Sequence, residues 1–241
     1  MTLQFNGIAY PIIGSGSSAV VIAKDKTAVK LPKSYLSGCN DDEDGVIQRE
    51  KDIYLRLGKC DGVVPYLDLS GPGIVMVWME NGSLRDYLNK HQVTRSLQLS
   101  WFREMSQCLA IIHGHHVIVA DINIRNFLVA NDMSVKFSDF TESTLVELDL
   151  DMQTADDNGY SIYTDIGQIG AVMYEVITGQ KCDFDLFKDQ PQGPAKAMWP
   201  RRDSLPSTQD VWLGLIIEKC WTKGAFRSSD ELAAALVLAT L

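Results

Sequence analysis

Asp121-Ile-Asn-Ile-Arg-Asn126 runs on into Phe127-Leu-Val129, and Ser134-Val-Lys-Phe-Ser-Asp-Phe140 begins eight residues after Asn126. Taken alone, this stretch is an Asx-rich pair of turns around a short hairpin, because Asn and Asp side chains bond their own backbone. Two stretches far upstream give its spacing more meaning. One is the glycine-rich Gly14-Ser-Gly-Ser-Ser-Ala-Val-Val21, and the other is Ala28-Val-Lys30, whose lysine stands 14 residues past Gly16. Ile8, Tyr10 and Ile12 alternate up to the glycine turn, and β-branched runs occupy Ala19 to Ala23 and Thr27 to Leu31. This pattern predicts three antiparallel strands.

Downstream, the acidic run Asp41 to Asp44 precedes a helix on which Val46, Ile47, Glu50, Ile53, Tyr54 and Leu57 share one face, with Gly58 as its stop. Glu50 is the odd member, since a carboxylate on an apolar stripe needs a partner. Val63 to Leu69 and Gly73 to Met79 supply two more strand-like runs, completing a five-stranded lobe with one helix near residue 80. Helices then dominate: Ser83 to His91, Ser96 to His113, Tyr163 to Thr178, Gln209 to Trp221 and Ser229 to Leu238. Lys181 to Pro206 reads as irregular, with one short helix expected at Phe184 to Lys188. The fold class is therefore α+β: one bilobal unit over residues 1–241, divided into 1–80 and 81–241, with no further regulatory domain expected.

Composition is compatible with that outline. Apolar residues make up 46% and charged residues 22% of the chain, enough for a sizeable core. A net charge of −9 disfavours nucleic acid and anionic membranes as partners and suits a basic protein. The five cysteines are scattered and odd in number, which argues against a disulfide framework and for a reducing, cytoplasmic setting. No signal-like start is seen, no apolar run approaches the roughly 20 residues of a membrane span, and Thr2 stands where myristoylation requires glycine. His91, His113, His115 and His116 have no carboxylate or cysteine at ligand spacing and are not read as a metal site.

Together the motifs resemble a protein kinase domain, and the likeness extends from about Tyr10 to Leu236. The resemblance implies an ATP- and Mg-dependent transfer of a phosphoryl group to a protein hydroxyl. Gly14, Ser15, Gly16, Ser17 and Ala19 would cover the phosphates, with Ala19 in place of the third glycine. Val21, Ala28 and Leu128 would enclose the adenine, Met76 would guard the back of its pocket, and the backbone of Val77 and Met79 would bond the base. Lys30 would hold the α- and β-phosphates and pair with Glu50, with Glu43 as a possible substitute. Asp121 would orient the acceptor hydroxyl, and Asn126 and Asp139 would hold magnesium. Asp165 in Asp-Ile-Gly-Gln-Ile-Gly would cap the catalytic loop, while Lys219-Cys-Trp221, Arg227 and Asp230 to Leu236 resemble the closing helices of tyrosine and tyrosine-kinase-like kinases.

The departures carry their own implications. Val119-Ala120-Asp121 replaces His-Arg-Asp, so Val119 takes the apolar place of the histidine and Ala120 cannot clamp a phosphorylated residue. Activity without phosphorylation of the activation segment is expected. Thr141 replaces the glycine after Asp139-Phe140, and Asn123 replaces a lysine. Only 26 residues separate Asp139 from Asp165, no Ala-Pro-Glu triplet occurs between them, and Asp156 or Asp157 is left to pair with Arg227. That span holds eight carboxylates and no lysine or arginine, which would attract a basic substrate. The altered triplets leave open a nucleotide-binding pseudokinase acting as a switch, and the short segment leaves open a small-molecule phosphotransferase.

Overall fold

A computed structural model describes residues 2–5, 7–34, 43–188 and 196–241. Its first part is an antiparallel sheet of β1 (Thr2–Phe5), β2 (Ile8–Ser15), β3 (Ala19–Lys24), β4 (Thr27–Pro32), β5 (Tyr66–Asp68) and β6 (Ile74–Val77), in the order β1-β2-β3-β4-β6-β5. Five of these are the expected strands; β1 is an addition. Its Leu3 and Phe5 point the same way and join Val20, Ile22, Val29 and Leu31 in a small core on one face of the sheet. Phe5 pairs with Ile8, Gly7 takes φ +78°, and the intervening sequence Asn-Gly is a strong hairpin signal. Four residues are too few for periodicity to register, so that dipeptide was the available signal.

Helix α1 (Glu43–Leu57) packs against the other face and buries Ile47, Glu50, Ile53, Tyr54 and Leu57, with Val46 half-buried, as the stripe requires. Gly58 ends it in the left-handed region at φ +60°. Asp41 and Asp42, at the start of the acidic run, lie outside the described residues.

The larger lobe is built on α2 (Leu84–Leu88), α3 (Arg95–Gly114), α4 (Ile162–Thr178), α5 (Gly214–Cys220) and α6 (Ser229–Leu238). Ser83, Thr94 and Ser228 cap α2, α3 and α6 by accepting the N–H of Asp86, Leu97 and Glu231. Between α3 and α4 lie β7 (Val117–Ile118), β8 (Phe127–Val129), β9 (Val135–Phe137) and β10 (Thr144–Leu145), pairing β8 with β9 and β7 with β10. One continuous core runs from α1 through β8 and β9 to α3, α4, α5 and α6.

Two expected helices differ from what folds. The segment Gln209 to Trp221 is helical only from Gly214, because Asp210 and Leu213 both take left-handed backbone and the chain doubles back on itself. Glycine is required there, since a Cβ on Gly214 would lie 2.1 Å from the Thr208 carbonyl oxygen. Phe184 to Lys188 is not a helix: the Asp185 carboxylate accepts the Phe187 N–H at 2.8 Å, an Asx turn, and the Phe184 ring is pressed against α4 at Gly167.

Helix α4 is the centre of this lobe and has glycines where its neighbours come closest. A Cβ on Gly170 would stand 2.7 Å from Cys220 Cβ and 3.0 Å from Trp221 Nε1. Gly170→Ala is therefore expected to destabilise the protein by about 1–3 kcal/mol through overpacking, despite alanine's better helix propensity. Urea unfolding midpoints of the two proteins measure this.

Candidate active site

Strand β4 and helix α1 meet at an ion pair. Lys30 Nζ donates to Glu50 Oε2 at 2.6 Å, to Asp139 Oδ1 at 2.7 Å and to Thr141 Oγ1 at 2.9 Å. Thr141 Oγ1 in turn donates to Asp139 Oδ1 at 2.5 Å, and the Phe140 N–H reaches Glu50 Oε1 at 3.2 Å. Glu50 is fully buried, which explains a carboxylate on an apolar stripe: both of its oxygens are occupied by donors. Burial works against the Lys30 charge, but Glu50 and Asp139 more than offset it and raise the lysine pKa. Burial also raises Glu50, and Asp139 adds to that shift while Lys30 opposes it. Asp139 is lowered overall: burial pushes it up, and the Lys30 charge with the bonds from Lys30 and Thr141 outweighs this.

Phe140, between these polar residues, is buried edge-on against Tyr54 of α1 with ring centroids 5.5 Å apart. Asp139 itself takes φ +64°, a left-handed turn that Asp tolerates and that sends its carboxylate towards Lys30 while Phe140 enters the core. Val119 is buried in that same core, in keeping with the apolar place expected for it.

Asp121 sits on the loop after β7. Its Oδ1 accepts from Asn123 Nδ2 at 2.8 Å, and its Oδ2 from Asn126 Nδ2 at 3.0 Å. With the Asn126 NH₂ turned to Asp121, the amide oxygen is the polar atom left for the cleft. The loop is held from beneath by Asp165 on α4, as expected: its carboxylate accepts the N–H of Val119 at 2.8 Å and of Ala120 at 2.9 Å, and bonds His113 Nε2 at 2.9 Å. His113 Nδ1 then meets Ser229 Oγ at 2.8 Å. One turn along α4, Gln168 holds the loop a second time through the Ile122 N–H and the Ala120 carbonyl.

Lys30, Glu50, Asp121, Asn126 and Asp139 line one cleft of about 700 Å³ between the lobes, together with the residues expected around the nucleotide. Gly14, Ser15, Gly16, Ser17 and Ala19 form its roof, where the Gly16 N–H closes a tight turn on the Ala19 carbonyl at 2.9 Å. Val21 lies beside Lys30 in the β3–β4 register, and Ala28, Met76, Val77, Met79 and Leu128 complete the apolar walls. The Val77 N–H is taken by the Pro65 carbonyl and the Met79 carbonyl by the Gly82 N–H. A ligand in the cleft is thus offered the carbonyl of the first and the N–H of the second.

The donor set fits a hard cation held mainly by its ligand's phosphates. Asp139 and Asn126 supply hard oxygens, and no group of three or more His, Cys, Asp and Glu placed to hold a metal ion occurs among the described residues.

Beyond Asp139, backbone pairing orders the acidic segment. β10 pairs with β7 in the register Thr144↔Ile118, the Val146 N–H donates to the His116 carbonyl at 2.8 Å, and Ser143 Oγ to the Val119 carbonyl at 2.8 Å. Ala120, in left-handed backbone at φ +67°, packs with Ile118 and Val146 in a small apolar cluster that Tyr160 borders. Arg56 in the last turn of α1 reaches the Val146 carbonyl at 3.3 Å. The expected pairing of Arg227 with Asp156 or Asp157 does not form. Arg227, just ahead of α6, closes on Glu231 in the first turn of that helix at 2.8 Å, Asp156 lies 3.6 Å from Lys196, and Asp157 accepts from Thr144.

Sequence reasoning missed three contributors here: the Thr141 hydroxyl, Gln168 and Arg56. Thr141 was visible only as a lost glycine, and the other two sit on helices whose polar positions look like ordinary solvated ones.

A family model described as protein tyrosine and serine/threonine kinase matches residues 23–227. Rat tyrosine-protein kinase JAK3 is 26% identical over 237 residues, covering 82% of this chain and 21% of that protein. Mouse cytoplasmic tyrosine-protein kinase BMX is 29% identical over 167 residues, 61% of this chain and 25% of its own length. A probable serine/threonine-protein kinase of Dictyostelium discoideum is 27% identical over 119 residues, 44% of this chain and 24% of its own. The chain therefore spans at most a quarter of the length of these relatives. With a matching lobe arrangement and a family match over most of its length, the chain belongs to the protein tyrosine and serine/threonine kinases.

Proposed function

We propose that residues 1–241 form one kinase domain, lobes 1–80 and 81–241, that transfers the γ-phosphoryl group of ATP to a protein hydroxyl with magnesium. The observation that carries this reading is Lys30, held by Glu50 and Asp139 at 2.6 and 2.7 Å in the same cleft as Asp121. Lys30 holds the α- and β-phosphates, and Glu50 keeps it from turning away. Backbone N–H groups of the Gly14–Ser17 turn approach the phosphate oxygens without side-chain interference. The Val77 carbonyl and the Met79 N–H read the base. Asp121, kept in place by Asn123 and Asn126, accepts the proton of the attacking hydroxyl. Asp139 and the Asn126 amide oxygen would hold magnesium, which supplies charge neutralisation on the transferring phosphoryl group. Most of the rate gain then comes from positioning and fixed charge.

The segment after Asp139 needs no phosphate to be ordered. Where an arginine would wait for one, Ala120 packs on Val146, and backbone pairing to β7 does the rest. Phosphatase-treated protein is expected to keep its activity to within about twofold, since Ala120 stands where an arginine would clamp an added phosphate. The eight carboxylates from Asp139 through Asp165 favour a basic protein as substrate.

A second reading, a nucleotide-binding pseudokinase acting as a switch, draws support from Asp139, whose Oδ1 is already engaged by Lys30 and Thr141. Transfer of radiolabel from ATP to a panel of basic and tyrosine-containing proteins, with Lys30→Met as control, separates the two. Melting temperature with and without Mg-ATP is measured in parallel. Label transfer by wild type alone supports the kinase; a melting shift without transfer supports the switch.

A further inference from the structure

Just past α1 the chain turns through Cys60-Asp61-Gly62-Val63, closed by the Val63 N–H on the Cys60 carbonyl at 3.0 Å. This turn rests on α3, and Cys60 Sγ stands 4.0 Å from Cys108 Sγ. Gly62 makes the approach possible: a Cβ there would lie 2.3 Å from both Cβ and Sγ of Cys108. The two thiols are unlike. Cys60 is half-buried, whereas Cys108 is 3% exposed. The bond with Cys108, helped by the Gly62 N–H and by nearby His115, lowers the Cys60 thiol to about 6 against burial and Asp61. The same contact and burial push Cys108 well above its ordinary value. An accessible thiolate beside a sheltered thiol is the arrangement of a reactive and a resolving cysteine.

We propose that Cys60 and Cys108 are a peroxide-responsive dithiol, a site of oxidative modification outside the nucleotide cleft. The Cys60 thiolate attacks one oxygen of a hydroperoxide; the O–O bond breaks, the leaving alkoxide or hydroxide takes a proton, and Cys60 becomes a sulfenic acid. Cys108 loses its proton and attacks that sulfur. The S–S bond forms as the S–O bond breaks, and hydroxide leaves with the proton as water. Two thiols and one hydroperoxide thus yield one disulfide, one alcohol or water, and one further water. Closing the sulfurs from 4.0 Å to the roughly 2.0 Å of a disulfide asks for the two side chains and the turn that carries Cys60 to shift. The bond then ties the chain leaving α1 to α3, and so fixes the base of the helix that carries Glu50.

Cys182 and Cys220 are buried, and burial raises both thiols, so they do not compete. Cys39 lies outside the described residues and is removed in the test background, Cys39→Ser. That protein, folded and reduced, is treated with hydrogen peroxide, capped with N-ethylmaleimide and mapped by mass spectrometry without reductant. The expected product is one linked peptide pair joining Cys60 to Cys108, reversed by dithiothreitol. In Cys108→Ser, dimedone is expected to trap Cys60 as a sulfenic acid; in Cys60→Ser, Cys108 stays unmodified. Iodoacetamide labelling of Cys60 in the reduced Cys39→Ser protein, which keeps Cys108, is expected to outpace that of Cys182 by at least about tenfold at pH 7, from thiolate fraction and access. Far-UV circular dichroism checks that each variant is folded. A map without the Cys60–Cys108 link, or Cys60 reacting no faster than Cys182, overturns the proposal.

Discussion

Asp165→Ala is expected to lower the unfolding free energy by about 2–6 kcal/mol, at roughly 1–3 for each backbone donor left behind. Its carboxylate accepts the N–H groups of Val119 and Ala120, both buried, and also bonds His113. His113 retains Ser229 as a partner when the carboxylate goes. The two backbone groups have no such alternative, and Ala120 sits in left-handed backbone that costs an alanine about 1–2 kcal/mol to adopt. Without the carboxylate, that strain loses its compensation. Asp165→Asn keeps the shape and one oxygen, so its loss should be clearly smaller. Urea unfolding followed by circular dichroism gives both values; an Asp165→Ala protein within about 0.5 kcal/mol of wild type would mean that the loop is not held this way.

Asp121→Asn is expected to reduce phosphoryl transfer by roughly 10²–10⁴-fold, the range for removing a positioned general base. The substitution keeps volume and removes a charge whose two oxygens accept from Asn123 and Asn126. It touches neither Lys30 nor Asp139, so the rise in melting temperature on adding Mg-ATP should survive. Rates from radiolabel transfer and melting curves on the same preparations test the two halves. Equal rates for wild type and variant would remove Asp121 from the chemistry and leave the switch as the better account.

Much of the site was legible in the sequence because its polar residues come at spacings that make sense only when folded together. Lys30, Glu50 and Asp139 lie on separate elements, yet the lone carboxylate on the apolar stripe of α1 already required a partner. Backbone-defined features were harder to read. The start of α5 was placed too early because left-handed turns at Asp210 and Leu213 leave no trace in hydrophobic spacing. Phe184 to Lys188 has helix-compatible residues, but an Asx turn and the hollow at Gly167 capture them. Thr141 shows a further limit: read only as a replaced glycine, it has a hydroxyl that joins Lys30 to Asp139.

The short first strand also shapes how the glycine turn can respond to a ligand. β1 runs beside β2 only from Phe5↔Ile8 to Thr2↔Pro11, and beyond Pro11 that side of β2 has no neighbouring strand among the described residues. The register with β3 also shifts between Ile12 and Gly14. The strand thus changes neighbours midway, held by β1 over its first half and by β3 over its second, from Ile12↔Ile22 to Ser15↔Val20. Because Gly14 is paired with Val21 and Ser15 with Val20, any descent of the glycines onto phosphates draws the near end of β3 down with them, and the roof moves as a two-stranded flap.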